Sequence, residues 1–216
     1  MLIVLIVAAV VLFGLIVAVI TVLFQGGRDE LPERSVAPAA GPDARNRAKG
    51  AKAEDDVQRL QLDRLPAATH RSYRNLRIPR VDGKRDTEID HVVVSAFGVF
   101  AVETKSWSGL IAGDAEDDQW VQRIRGRVHR HPNPLKQNRL HTRSLAKFLD
   151  LAQRSVHSIV CFEGPETRFE RPMPLNVVRS VDLAPYILAF RTEILSAGSV
   201  EQINRALDQR TAPADP

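Results

Sequence analysis

The chain has 216 residues, and its 30 Lys and Arg against 26 Asp and Glu give a net charge of +4 and a pI of about 9.6. A single cysteine excludes an intrachain disulfide and fits a reducing compartment. The apolar content suffices for one ordinary core, and the basic balance is compatible with nucleic acid or an anionic membrane as a partner.

The first predicted element is residues 1–24, which contain no charged residue and no helix breaker. At 1.5 Å per residue, residues 2–24 would extend for about 34 Å as a helix, enough for a hydrocarbon core of about 30 Å. A cleaved signal peptide usually has a basic start and a shorter apolar core, and this segment has neither. We therefore expect a single-pass transmembrane helix in the lipid bilayer.

The orientation of this helix follows from the charges around it. No basic residue precedes the helix, whereas several arginines and lysines follow it. The positive-inside rule then predicts that the N-terminus lies outside and that the C-terminal domain is cytoplasmic. Residues 25–50 hold Pro32, Pro38 and Pro42 among Ala, Gly and charged residues, which predicts a flexible linker.

One domain is predicted over residues 51–209, with a disordered tail at 210–216. Its elements are a helix (52–65), a strand (73–79), a hairpin (89–105), strand pieces (119–131), a helix (134–151), two strands (157–162 and 176–180) and a final helix. Ser199 and Gln202 form a capping-box pattern for that last helix. Because helices and strands interleave, the fold class is α/β.

The predicted hairpin carries two acids and a lysine. If its loop is residues 95–98, antiparallel pairing places Asp90 opposite Glu103, with Cβ atoms roughly 5 Å apart. Alternation puts Lys105 on the same face, and a cation such as Mg²⁺ would relieve the repulsion between the acids. A shorter loop with Gly98 in a bulge would instead place Asp90 opposite Thr104. The alternative interpretation is an ordinary solvated hairpin face.

Several motifs surround this hairpin in a fixed order. They are KGAKAE (49–54), EIDHVVVS (88–95), GVFAVETK (98–105), SG (108–109), Trp120 and NPLKQN (133–138). Together they resemble the nuclease-related domain family, NERD, of the restriction-endonuclease-like PD-(D/E)XK superfamily. The resemblance implies a mixed central sheet flanked by helices. Ala53 stands where the family usually has glycine.

The resemblance also implies the roles of individual residues. Asp90 and Glu103 would bind Mg²⁺ or Mn²⁺, and Lys105 would orient or deprotonate the attacking water. Glu54 and Gln137 would be supporting groups. An amide cannot act as a base, so Gln137 would hydrogen-bond a carboxylate or the water.

The position of Gln137 follows from the local sequence. Asn133 is a good N-cap and Pro134 suits the first helical position, so Gln137 falls in the first turn of a helix, one turn before His141. Without the resemblance, an ordinary surface glutamine would be the alternative.

A basic segment follows Trp120. In a continuous strand, Arg123, Arg125 and Arg127 would form one stripe able to contact phosphates. If Arg125 and Gly126 instead form a hairpin turn, the arginines separate into a solvated rim. Both alternatives remain open.

Other reactive residues are given structural interpretations. The spacing of His129, His131 and His141 matches no common zinc motif. Cys161 lies in an apolar run and is predicted to be in the core. His91 should point away from Asp90, towards core or solvent.

These features predict a membrane-anchored, Mg²⁺- or Mn²⁺-dependent nuclease with weak sequence specificity, and DNA is the favoured partner over RNA. Two alternatives are a nucleic-acid-binding module that does not hydrolyse its ligand and a membrane-tethered protein scaffold. Steep salt dependence would distinguish nucleic-acid binding from an apolar protein interface.

Overall fold

The structure is a computed structural model that describes residues 41–211. The predicted transmembrane segment (1–24), residues 25–40 of the predicted linker and residues 212–216 of the predicted tail lie outside the described residues. None of the described helices has both the length and the apolar character needed to cross a membrane.

The described residues contain four α-helices, nine β-strands and two short 3-10 helices. The α-helices are α1 (Pro42–Leu60), α2 (Pro134–Phe148), α3 (Ser180–Leu188) and α4 (Ala197–Thr211). The strands are β1 (Arg71–Ile78), β2 (Thr87–Ser95), β3 (Gly98–Lys105), β4 (Leu110–Ala112), β5 (Gln119–Ile124), β6 (Arg127–Pro132), β7 (Val156–Phe162), β8 (Arg168–Phe169) and β9 (Val177–Arg179). The 3-10 helices are Leu62–Arg64 and Gln153–Ser155.

The strands form two mixed sheets. In the five-stranded sheet the order is β1-β2-β3-β7-β9, with β1, β2 and β3 antiparallel and both β7 and β9 parallel to β3. In the four-stranded sheet the order is β6-β5-β4-β8. The predicted α/β class is confirmed, although one central sheet was expected and two are observed.

Successive side chains of each strand point to opposite faces of the five-stranded sheet. Both faces therefore carry apolar side chains, and helices cover both. On one face, Val92 and Ala101 pack with Leu145 of α2 and Leu207 of α4. On the other, the buried residues include Val57 of α1, Ile187 of α3, Val93, Phe100 and Ile159. This double burial explains why β2 and β3 are nearly continuous apolar runs.

The predicted register of the β2–β3 hairpin is confirmed. Ser95 pairs with Gly98, and the pairing continues to His91 opposite Val102. One further step along the same register brings Asp90 opposite Glu103. The burial predicted for Cys161 is also confirmed, and His91 is fully buried on the face away from Asp90.

Several boundaries differ from the predicted ones. Helix α1 begins at Pro42, inside the predicted linker, because proline is compatible with the first helical turn. Helix α4 begins at Ala197, and Ser196 rather than Ser199 caps it by accepting a hydrogen bond from the Ser199 amide. It ends at Thr211, two residues inside the predicted tail.

Two short strands and one α-helix were not predicted. Strands β4 and β8 have three and two residues, too few to display an alternating pattern. Helix α3 contains Pro185, which reads as a helix breaker in the sequence.

Candidate active site

The two central strands place Asp90 and Glu103 on one face of the sheet. Asp90 is held by the backbone, because the Thr104 amide donates a hydrogen bond of 2.7 Å to its Oδ2. Glu103 is almost completely buried, with 3% of its surface exposed. The hairpin therefore brings two carboxylates together below the surface.

Lys105 connects Glu103 to helix α2. Its Nζ donates to Glu103 Oε1 at 2.5 Å and to Gln137 Oε1 at 3.0 Å. Since a lysine ammonium has three donors, one N–H remains for another acceptor. The structure thus brings Asp90, Glu103, Lys105 and Gln137 into one site.

Residues on both sides of Gln137 hold helix α2 in place. Asn133 caps the helix by accepting from the amides of Leu135 and Lys136, as the sequence predicted. One residue beyond Gln137, the buried Asn138 donates through Nδ2 to the carbonyls of Ala101 in β3 and Ile159 in β7. These bonds hold the start of α2 directly against β3, which carries Glu103, and against β7.

His141 is a site residue that the sequence reasoning did not assign. It is buried, and its Nδ1 lies 3.2 Å from Glu103 Oε2. The two groups make a close buried contact between α2 and β3. Its position one turn after Gln137 on the same helix face was the signal that could have identified it.

The surroundings of Asp90 and Glu103 shift the pKa values of these two acids in opposite directions. Burial, followed by the negative charge of Glu103, raises the pKa of Asp90 to about 8. Burial alone would also raise the pKa of Glu103, but His141 and Lys105 lower it below its usual range. At neutral pH the pair therefore carries less negative charge than two free carboxylates would.

Glu54 of α1 is the third acid near this pair. Its negative charge contributes to the raised pKa of Asp90, and burial raises its own pKa. The backbone of the same residue is anchored, because the Glu54 carbonyl lies 3.2 Å from Nε2 of the buried His91. All five predicted catalytic residues therefore lie in one region of the domain.

The two opposed carboxylates make the pair suited to a cation. Glu103 accepts from Lys105 at Oε1 and lies 3.2 Å from His141 Nδ1 at Oε2, whereas Asp90 accepts from the Thr104 amide at Oδ2. Within residues 41–211, no group of three or more His, Cys, Asp or Glu side chains is arranged to hold a metal. The donor set is therefore two carboxylates, which suits Mg²⁺, an ion that completes its shell with water and substrate oxygens.

The predicted arginine stripe is not formed. Strands β5 and β6 make a hairpin in which Arg125 and Gly126 are the two turn residues, with φ of 48° and 73°. Positive φ at both positions is typical of a type I′ turn, which matches the twist of the strands. Arg123 and Arg127 consequently lie on different strands, and Arg123 pairs with Glu170. The alternative of a hairpin rim is confirmed.

Comparison with known proteins assigns the family. Residues 49–163, more than half of the chain, match the family described as nuclease-related domain, or NERD. The chain belongs to the NERD family. An uncharacterized protein of Bacillus anthracis is 33% identical to it over 97 residues, which cover 45% of each chain. The chain thus spans less than half the length of this relative. No solved structure matches the chain.

The NERD match includes every residue of the candidate site. It begins within α1, before Glu54, and ends just after β7, so the C-terminal part of α1, the β2–β3 hairpin, the β5–β6 hairpin and α2 fall within it. Strand β9 and helices α3 and α4 lie beyond its C-terminal limit. The part of the chain that defines the family is therefore the part that builds the site.

Proposed function

We propose that this NERD domain is a metal-dependent nuclease whose site is formed by Asp90, Glu103 and Lys105. The observation that carries the proposal is the placement of Asp90 opposite Glu103 on adjacent strands, with Lys105 Nζ 2.5 Å from Glu103 Oε1. Two buried carboxylates carry more negative charge than the single ammonium of Lys105 offsets, so a bound cation would stabilise the ionised pair. Family membership supports a nuclease-related role.

The fold proposal is finer than the α/β class. We propose a restriction-endonuclease-like core made of β1, β2, β3 and β7, with α1 and α2 on opposite faces. In this arrangement the strands supply the acids and the lysine, while each helix supplies one supporting side chain. Function still depends on the site rather than on the fold.

Asp90 and Glu103 are the residues that would hold Mg²⁺ or Mn²⁺. Both present hard oxygen donors, and one or two carboxylates are the usual protein ligands of Mg²⁺. When bound, the cation would polarise the phosphoryl oxygen and lower the pKa of the attacking water. Glu54 would add negative charge to the site and favour its occupation by a cation.

Lys105 would act directly on the substrate. Two of its three N–H groups are used by Glu103 and Gln137, which fix the position of Nζ. The remaining N–H can reach a phosphate oxygen or the attacking water, and the ammonium charge stabilises negative charge that develops at the phosphorus. Gln137 would then be a positioning residue for Lys105, rather than a direct partner of a carboxylate.

Cleavage assays test the proposal. The full chain in a non-ionic detergent is incubated with end-labelled DNA and RNA, in single-stranded and duplex forms, with Mg²⁺, Mn²⁺ or EDTA. Asp90→Asn and Lys105→Met should lower the cleavage rate by about 100-fold or more, because the first removes a carboxylate that would hold the cation and the second removes a positive charge that stabilises the transition state. Asp86→Asn and Lys147→Met are matched controls on exposed residues of the same domain and should cleave normally.

Each negative result has a defined meaning. Salt-sensitive nucleic-acid binding without cleavage would replace the nuclease with a binding module that does not hydrolyse its ligand. Absence of cleavage, of nucleic-acid binding and of metal binding by calorimetry would leave the protein scaffold. DNA cleaved faster than RNA at many sequences would match our expectation of DNA preference and weak sequence specificity.

We propose that residues 1–24 anchor the chain in the membrane, with the N-terminus outside and the domain in the cytoplasm. The support is the uncharged apolar run and the basic residues that follow it. A Ser35→Cys variant tests the topology with a membrane-impermeant maleimide, since the natural Cys161 is fully buried. Labelling only after cell lysis is expected, and labelling of intact cells would refute the orientation.

A further inference from the structure

Three aromatic side chains form a row beside the candidate site. Trp107 and His131 are stacked with ring centroids 4.2 Å apart and planes inclined by 23°. His131 and His129, two residues apart on β6, have centroids 6.4 Å apart and planes inclined by 27°. We call Trp107, His131 and His129 the ring row.

The inner part of the ring row is held rigidly. The Thr167 hydroxyl donates to the Trp107 carbonyl at 2.7 Å, and Phe162 packs edge-on against the Trp107 ring at 5.5 Å. Gln122 donates through Nε2 to the Ser108 carbonyl, so its Oε1 is the acceptor for His131 Nε2, 3.1 Å away. The orientation of these rings is therefore set before any ligand binds.

The ring row also leads from solvent towards Lys105. Trp107 follows Lys105 by two residues, a distance of at most about 7 Å along the backbone. Trp107 and His131 are half-buried, whereas His129 is exposed. Burial, His129 and Lys105 together lower the pKa of His131, which keeps its ring neutral and suited to stacking at neutral pH.

Positive charge accompanies the outer end of the ring row. Arg125 and Arg127 are exposed on the same hairpin, and Arg127 shares the face of β6 that carries His129. Unlike Arg123, which pairs with Glu170, they have no ion-pair partner among residues 41–211. An exposed ring at the end of a row of rings, next to arginines without ion-pair partners, is a combination suited to the bases and phosphates of single strands.

We propose that the ring row and its arginines bind single-stranded nucleic acid by stacking on unpaired bases and lead the strand to Lys105. The last step rests on the proposed nuclease function, whereas the stacking does not. In a duplex the base faces are already stacked on each other, so a platform of rings selects unpaired strands. Stacking does not distinguish one base from another, which agrees with weak sequence specificity.

Tryptophan fluorescence provides a local test. The chain has two tryptophans, and Trp120 is fully buried, so quenching by a stacked base reports on Trp107. The full chain in non-ionic detergent and EDTA is titrated with a 12-nucleotide oligothymidine, an abasic 12-mer with the same backbone, and a blunt 12-base-pair duplex. EDTA prevents metal-dependent cleavage during the titration.

Variants on the exposed strand isolate the effect of stacking. Oligothymidine should bind about tenfold or more tightly than the abasic strand, since stacking contributes about 1–3 kcal/mol per base. His129→Ala should reduce that ratio several-fold, and His129→Phe should retain it. Val128→Ala is the matched control, because Val128 is 60% exposed and points to the opposite face of the same strand.

Several results would overturn the inference. They are equal affinity for the abasic strand and oligothymidine, equal quenching by the duplex, no effect of His129→Ala, or quenching that persists in Trp107→Phe. Base-dependent binding without cleavage in Mg²⁺ would sustain the stacking and refute only the nuclease. Cleavage without base-dependent binding would support the nuclease and refute the stacking.

Discussion

The two β-hairpins of this domain differ in how deeply they are buried. The β2–β3 hairpin lies between helices, so its acids are buried and their pKa values are displaced. The β5–β6 hairpin leaves most of β6 exposed, and its arginines and His129 face solvent. Burial turns the first hairpin into a site for chemistry, whereas exposure makes the second a surface for recognition.

The largest expected effect is on the free energy of unfolding, when an ion pair is removed from the buried hairpin rather than from the exposed one. Lys105→Ala leaves Glu103 buried without its cationic partner, and the domain should lose about 3 kcal/mol of unfolding free energy. Arg123→Ala removes an exposed pair with Glu170 and should cost less than about 1 kcal/mol. Urea unfolding followed by tryptophan fluorescence measures both, and equal losses would contradict the contrast.

Metal should stabilise the domain through the buried hairpin only. A ligand that binds the folded state at 100 times its Kd adds about 2.7 kcal/mol of stability. We expect Mn²⁺ to raise the Tm of the wild-type chain and of Arg123→Ala by similar amounts, but not that of Asp90→Asn. A similar Mn²⁺-dependent rise in Asp90→Asn would place the cation elsewhere.

The pH dependence of stability should reveal the charge on Asp90. Its ordinary pKa of 3.8 applies to the unfolded chain, whereas burial and Glu103 raise it to about 8 in the folded domain. The folded state therefore binds this proton more tightly, and its contribution to stability is lost as pH rises from the ordinary value of 3.8 to about 8. The slope from one such group is at most about 1.4 kcal/mol per pH unit.

Asp90→Asn isolates this effect. The neutral amide should stabilise the metal-free domain at pH 8 by at least about 1 kcal/mol, because no charge has to be buried. It should also flatten the slope between pH 5 and 8, leaving the smaller slope from Glu54, whose pKa is raised in the same direction. The lowered pKa of Glu103 acts oppositely and only below its ordinary value of 4.5. An unchanged slope in Asp90→Asn would show that Asp90 is ionised in the folded domain.

The sequence predicted the buried hairpin well because several signals agreed there. The Ser95–Gly98 turn and the two apolar runs allowed few registers, and a shift by one residue would have moved every side chain to the wrong face. The capped start of α2 placed Gln137 in its first turn for similar local reasons. His141 was missed as a site residue because its spacing from Gln137 indicates only a shared helix face, whereas its contact with Glu103 depends on the packing of α2 against β3.

The exposed hairpin was ambiguous because its turn is unusual. A two-residue turn of this type normally uses Asn-Gly or Asp-Gly, and here an arginine occupies the first position with a positive φ. The alternation of Arg123, Arg125 and Arg127 therefore resembled a continuous strand. The ring row was equally hidden, because Trp107 and His131 meet only when β6 folds back towards the end of β3.

That turn provides the smallest and most local prediction. Arg125→Asn should stabilise the domain by up to about 1 kcal/mol, because asparagine adopts positive φ more readily than arginine does. The same change removes one exposed positive charge, so the slope of log affinity against log salt for oligothymidine should fall by about one. The ratio of affinities for oligothymidine and the abasic strand should stay constant, because every ring is intact. Arg127→Asn, outside the turn, is the control that should lower the salt slope without adding stability. If Arg125→Asn instead lowered that ratio, Arg125 would contribute to base recognition. The arginines could then not be assigned to phosphates alone and the rings to bases alone.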